Sequence, residues 1–120
     1  MIPLNKENAR NALLTLVSRQ FDDIAERISR DIHQHANGSP VPAAVGFMMY
    51  FLRNADGEPL KDTIVNRYGV TRAHMEETTG FRKLRDACQK KQLGARLEEH
   101  FYAHQPNLTR IYKVVVDGWS

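Results

Sequence analysis

Residues 60–91 run LKDTIVNRYGVTRAHMEETTGFRKLRDACQKK, and their pivot, Tyr68-Gly69-Val70-Thr71, decides how the rest of the chain is read. Ahead of the pivot, residues 61–68 predict a helix that buries Ile64, Val65 and Tyr68. Gly69 can take positive φ at no steric cost, and Val70 can plug the angle between two helices. The Thr71 hydroxyl can accept from the free N–H groups at the start of the next helix. Two helices joined this way make a helix-turn-helix. Beyond Thr71, Ala73 and Met75 are the expected inward residues, but Phe81, Leu84 and Cys88 fall on the opposite side at about 100° per residue. This slip of phase predicts a break at Thr78-Thr79-Gly80.

After the break, Phe81, Leu84, Ala87 and Cys88 share one face, leaving Arg82, Lys83, Arg85, Lys90 and Lys91 outside or flanking, with Asp86 alone opposing them. The whole chain of 120 residues carries only +3, unevenly spread. Residues 1–60 hold six Lys and Arg against seven Asp and Glu, whereas residues 61–113 hold eleven against six. A basic excess around the turn is the footprint of a polyanion-binding face, although a merely solvated basic surface is commoner.

Upstream, residues 6–36 predict one long amphipathic helix, with Asn5 as N-cap and Asn37-Gly38 as its stop. Its stripe is Leu13, Leu16, Val17, Phe21, Ile24, Ile28 and Ile32. About thirty residues span roughly 45 Å, more than a small domain covers, so part of this stripe is expected to pack on a second copy in a homodimer, the alternative being that the helix wraps its own domain as a monomer. Gln20 interrupts any strict heptad seam, which points to helix packing and not a zipper. Residues 1–38 are therefore expected as a dimerisation helix and 39–120 as the functional domain, joined by the stiff Ser39-Pro40-Val41-Pro42. Residues 42–54, apolar on nearly every side, predict a central helix with Met48 and Met49 in the core.

Asn54-Ala55-Asp56-Gly57 is a turn, and Glu58-Pro59-Leu60 is short and extended. TRIYKVVV, residues 109–116, is the clearest strand. Its expected partner is residues 95–103 across a loop at 105–108, although Leu93, Leu97 and Phe101 repeat every four residues and leave a helix open there. The fold class is mostly α with a small antiparallel hairpin.

Several chemistries are excluded. With 42% hydrophobic and 26% charged residues the chain is an ordinary globular one. Cys88 is the single cysteine, so there is no disulfide framework and no cysteine pair for zinc, and a reducing cytoplasm fits. No leader and no membrane span are expected. There is no phosphate-cradling glycine loop and no nucleophile elbow, and Cys88 on an apolar face is expected to be an inert buried thiol. His100 and His104 lack a third ligand, and His33 and His35 complement the dipole of the long helix. No enzyme activity, metal or cofactor is expected.

The order of elements from residue 42 to 116 resembles the winged-helix DNA-binding domains. The likeness is carried by Leu60, where a short first strand would lie; by Asn66-Arg67-Tyr68-Gly69-Val70-Thr71 at the turn; by residues 84–93 running into Arg96; and by residues 107–116 as the return strand. More loosely, the same order and the ending Arg110-Ile111-Tyr112-Lys113-Val114-Val115-Val116 look like the CaiF/GrlA-type bacterial transcriptional activators. This resemblance implies a cytoplasmic regulator of double-stranded DNA, with a winged helix-turn-helix over residues 39–120.

Which helix enters the groove is open, because Gly69 to Leu93 is longer than one recognition helix needs. In the preferred register Thr71, Arg72 and His74 reach base edges while Arg82, Lys83 and Arg85 mostly hold phosphates, and Lys90 and Lys91 are further DNA-binding candidates. In the other, Arg82, Lys83 and Arg85 sit on the reader. Gln105, Asn107, Thr109 and Arg110 are candidate wing contacts. The competing function is a protein partner's adaptor or inhibitor, acting on a nucleic-acid-processing machine through a winged-helix-like domain. RNA binding is disfavoured, since the strands show no basic-aromatic stacking platform.

Overall fold

The N-terminal third is one helix, α1, Pro3–Ala36. It starts two residues before Asn5, so Asn5 lies within the helix and is not its cap; Pro3, with φ already helical, opens it. The computed structural model describes residues 3–36, 47–101 and 109–118, and their side chains save those of 3–6, 31–36 and 47. The expected linker at 39–42 and the loop at 105–108 lie outside the described residues.

After α1 come strand β1, Phe47–Phe51; three helices, α2 at Asp62–Arg67, α3 at Arg72–Glu76 and α4 at Thr79–Gln89; and strands β2, Gly94–Phe101, and β3, Arg110–Asp117. The strands form a three-stranded antiparallel sheet in the order β1-β3-β2. Both β1 and β2 pair along β3, with Met49 opposite Val115 on one side and Arg96 opposite Val115 on the other. The strand alternative for residues 95–103 is the one adopted, as far as Phe101.

Of the central helix expected over 42–54, residues 42–46 lie outside the described residues and 47–51 form strand β1 instead, a correction with a simple cause. FMMYF is apolar on every side, so its periodicity cannot choose between helix and strand; pairing with the β-branched Val114, Val115 and Val116 decides it. Met49 accordingly points away from the core and is 45% exposed. Leu60 is not the first strand either: it is fully buried, and its neighbour Lys61 makes a single bridge to Ile111. The turn at 54–57 forms as expected. The Asn54 side-chain oxygen accepts from the N–H groups of Asp56 and Glu58, and Gly57 takes φ +82°.

One core gathers residues from both sides of the boundary expected at residue 38. Leu13, Val17, Phe21, Ile24 and Ile28 of α1 are buried with Phe81, Leu84 and Cys88 of α4 and with Leu97, Val114 and Val116 of the sheet. This corrects the dimerisation stripe: those five side chains are consumed by their own chain and cannot serve as a surface for a second one. Leu16 is half-buried, and the Ile32 side chain is outside the described residues. The stripe from Leu13 to Ile28 is the middle of α1, and α4 of the same chain packs against it.

Candidate nucleic-acid interface

The pivot has the chemistry its residues require. Gly69 has φ +68°, Val70 is buried, and Val70 N–H donates to the Val65 carbonyl, closing α2. Thr71 caps α3: its hydroxyl accepts from His74 N–H at 3.1 Å, while His74 Nδ1 accepts from Thr71 N–H at 3.0 Å. This reciprocal capping box uses His74 where Glu or Gln is usual. The turn is also tied to α1, because Arg10 Nε donates to the Tyr68 carbonyl at 3.1 Å and its guanidinium lies over Gly69.

The break foreseen at residues 78–80 separates α3 from α4. Thr78 donates to the Met75 carbonyl at 2.7 Å and accepts from Phe81 N–H, so one hydroxyl ends α3 and caps α4. Gly80 then sets the approach of α4 to α1. A Cβ there would stand 1.9 Å from the Ser18 carbonyl oxygen, and Gly80 N–H donates to Ser18 Oγ at 2.9 Å. Behind this contact the Phe21 and Phe81 rings meet edge to face, centroids 5.0 Å apart.

With Gly80, Phe81, Leu84 and Cys88 turned inward, the outer side of α4 carries the cations. Arg82, Lys90 and Lys91 are exposed and have no ion-pair partner among the described residues. Lys83 Nζ lies 3.5 Å from Asp22 of α1, and the Arg85 guanidinium stacks over Phe81 at 5.2 Å. An anion approaching Lys83 would also meet Arg19, Ser18 and Thr79, which line the same groove between α1 and α4. Arg19 is a residue the sequence reading passed over, because charge on the outer face of a long helix carries no signal of what packs beside it.

The other candidates sit elsewhere. Thr71 and His74 are engaged with each other, and Arg72 faces Glu76 at 4.0 Å one turn on. Ala73, expected inward, is exposed; Met75 is fully buried. Arg110 lies on the hairpin of β2 and β3, donating to Glu99 at 3.0 Å and stacking on Phe101. Thr109 is buried, so it cannot serve as an exposed wing contact. Gln105 and Asn107 are outside the described residues. Arg96 bridges Glu98 and Asp117, and its hydrogen bond holds the Glu98 carboxyl below its usual range.

Burial pushes the Cys88 thiol up to about 11, with Asp117 adding to the effect, so it stays protonated at neutral pH. Among the described residues no cluster of His, Cys, Asp and Glu could hold a metal ion, and no helix is long and apolar enough to cross a membrane. No protein-family model matches the chain, and no curated protein or solved structure matches it either.

Proposed function

We propose that this chain is a small cytoplasmic DNA-binding transcriptional regulator, a winged helix-turn-helix in which α4 is presented to the duplex. The observation that carries the proposal is the outer face of α4. Eleven residues long, about 16 Å, it offers Arg82, Lys83 and Arg85 with Lys90 and Lys91 at its end, while its apolar side is locked against α1. A helix of that size suits the major groove, and Arg can bridge guanine O6 and N7.

The preferred register of the sequence gives way to the alternative here. α3 has only five residues, and its polar side chains are spent on the cap and on the Arg72–Glu76 pair. The hairpin of β2 and β3, with Arg110 near its open end, would be the wing and Arg19 a phosphate contact beside α4. A transcriptional activator of the CaiF/GrlA type fits this arrangement, and the sheet's exposed apolar edge favours a protein-docking role as the second reading.

Titration of the full chain with random-sequence duplex DNA across a salt series tests the proposal. Neutralising several phosphates gives a log–log slope of several, about 0.9 for each contact. Arg82→Glu should weaken binding and flatten that slope. A salt-independent or absent interaction, with Arg82→Glu also silent, would leave the adaptor role standing.

A further inference from the structure

The two open edges of the sheet are built differently. β2 carries Arg96, Glu98, Glu99 and His100, the kind of charge that discourages another strand from adding. β1, FMMYF, has no charge and no proline. Leu52 N–H donates to the Tyr112 carbonyl, and this sets the alternation along the strand. Met48 and Tyr50 turn their main-chain groups to β3, and Leu52 on the same side donates to Tyr112 and accepts from Leu60 N–H; Phe47, Met49, Phe51 and Arg53 turn theirs to the open edge.

At Arg53 that edge is closed. The Gln20 side-chain amide accepts from Arg53 N–H and donates to its carbonyl, both at 2.8 Å, as the backbone of a neighbouring strand would. The outward N–H and C=O groups of Met49 and Phe51 have no such partner among the described residues, and their side chains are 45% and 39% exposed. Beside this open stretch runs a groove of about 580 Å³ between α1 and β1. Asp23 and Glu26, then Arg27 and Arg30, follow one another along its helical wall, and none has an ion-pair partner within the described chain.

Acids followed by arginines along one helix form a pattern that complements itself when turned end for end. A two-fold axis normal to the sheet at the β1 edge performs that rotation: it brings Asp23 and Glu26 of one copy toward Arg30 and Arg27 of the other, and sets the two open ladders antiparallel. We infer that β1 is a homodimer edge, pairing with β1 of a second copy about an axis near Met49 and joining two three-stranded sheets into one. The same patch serves both copies, as a closed two-fold interface demands. The ladder ends where Gln20 blocks Arg53, so register is set from within the chain. This replaces the buried stripe of α1 as the dimer surface, and it stands without any assumption about DNA.

Sedimentation equilibrium of the full chain without DNA, over a concentration series, tests it. The mass should rise from 13.8 kDa toward twice that value. Met49→Pro removes one outward N–H, a change an edge strand tolerates, and should leave a folded monomer. Phe51→Lys, an exposed change, is the second variant should proline disturb β1. Arg27→Glu with Arg30→Glu, placing like charges against the partner's acids, should weaken the dimer by about tenfold or more. A monomer at every soluble concentration overturns the inference, as does a dimer indifferent to Phe51→Lys in a folded protein. Growth beyond a dimer overturns the two-fold, showing an edge open to any strand. Because no duplex is present, failure here is separate from failure to bind DNA.

Discussion

The contact between α1 and α4 and the open end of the β2–β3 hairpin are held by opposite means. In the first, Gly80 rests on a backbone carbonyl, Phe21 meets Phe81, and Val17, Phe21, Ile28, Leu84 and Cys88 are completely buried. In the second, Arg110 reaches Glu99 and stacks on a Phe101 that is 53% exposed, all within reach of water. Packing in a dry seam is intolerant of small changes in shape, whereas solvated pairs contribute little to stability and exchange partners at little cost. The seam fixes where the cations of α4 point; the solvated Arg110–Glu99 pair fixes little.

The largest effect should come from Gly80→Ala. One methyl group would stand 1.9 Å from Ser18 oxygen, so α4 must move off α1 or the Phe21–Phe81 contact must open. The expected loss is about 3 kcal/mol, the upper end of what overpacking usually costs, because the obstacle is backbone and not a flexible side chain. Urea unfolding measures it. A loss below about 0.5 kcal/mol, the usual limit for a surface substitution, would mean that the seam yields as easily as the hairpin.

A smaller effect separates the regions by pH. Burial raises Cys88, on the packed side of α4, from 9.0 to about 11, and burial with the charges of Glu99 and Asp62 raises Tyr112, on β3 opposite Glu99, from 10.0 to about 12. Both acids hold their protons longer folded than unfolded. Their contribution is therefore complete below about pH 9 and is lost as the pH rises through 9 to 12. The urea midpoint should fall across that window, and Cys88→Ala should remove the part that begins near pH 9 while leaving the Tyr112 part. A midpoint that keeps the whole alkaline fall in Cys88→Ala would place the titrating group nearer the hairpin than the seam.

Local chemistry was legible in the sequence to the extent that its cause is local. Gly69, Val70 and Thr71 act through φ, size and a hydroxyl, properties each residue carries wherever it stands, and the break at residues 78–80 follows from helical phase alone. What FMMYF becomes depends on three valines more than sixty residues away, and its own pattern is the same for helix or strand. The stripe of α1 was visible as apolar, but periodicity does not say whose surface covers it. Of the candidate site, the charges of α4 could be read from spacing; the engagement of His74 in a cap and of Arg110 with Glu99 could not, since both need the fold. Gln20 was noted only as a flaw in a heptad, and it closes the edge of a sheet.

The smallest effect on stability, and the sharpest contrast between the two regions, should come from Glu99→Gln. Glu99 and Arg110 are solvated, and exposed pairs of this kind are worth about 0–1 kcal/mol, so unfolding should barely change. Binding should change more. Without the carboxylate, Arg110 loses its partner on the hairpin and a negative charge leaves the proposed wing, so affinity for duplex DNA should rise and the log–log salt slope steepen by up to about 0.9. In Gly80→Ala both quantities should fall together, because α4 cannot hold its place. A hairpin substitution that costs several kcal/mol, or one that gains no affinity while Arg82→Glu loses it, would remove the hairpin end from the interface and leave α4 to act alone.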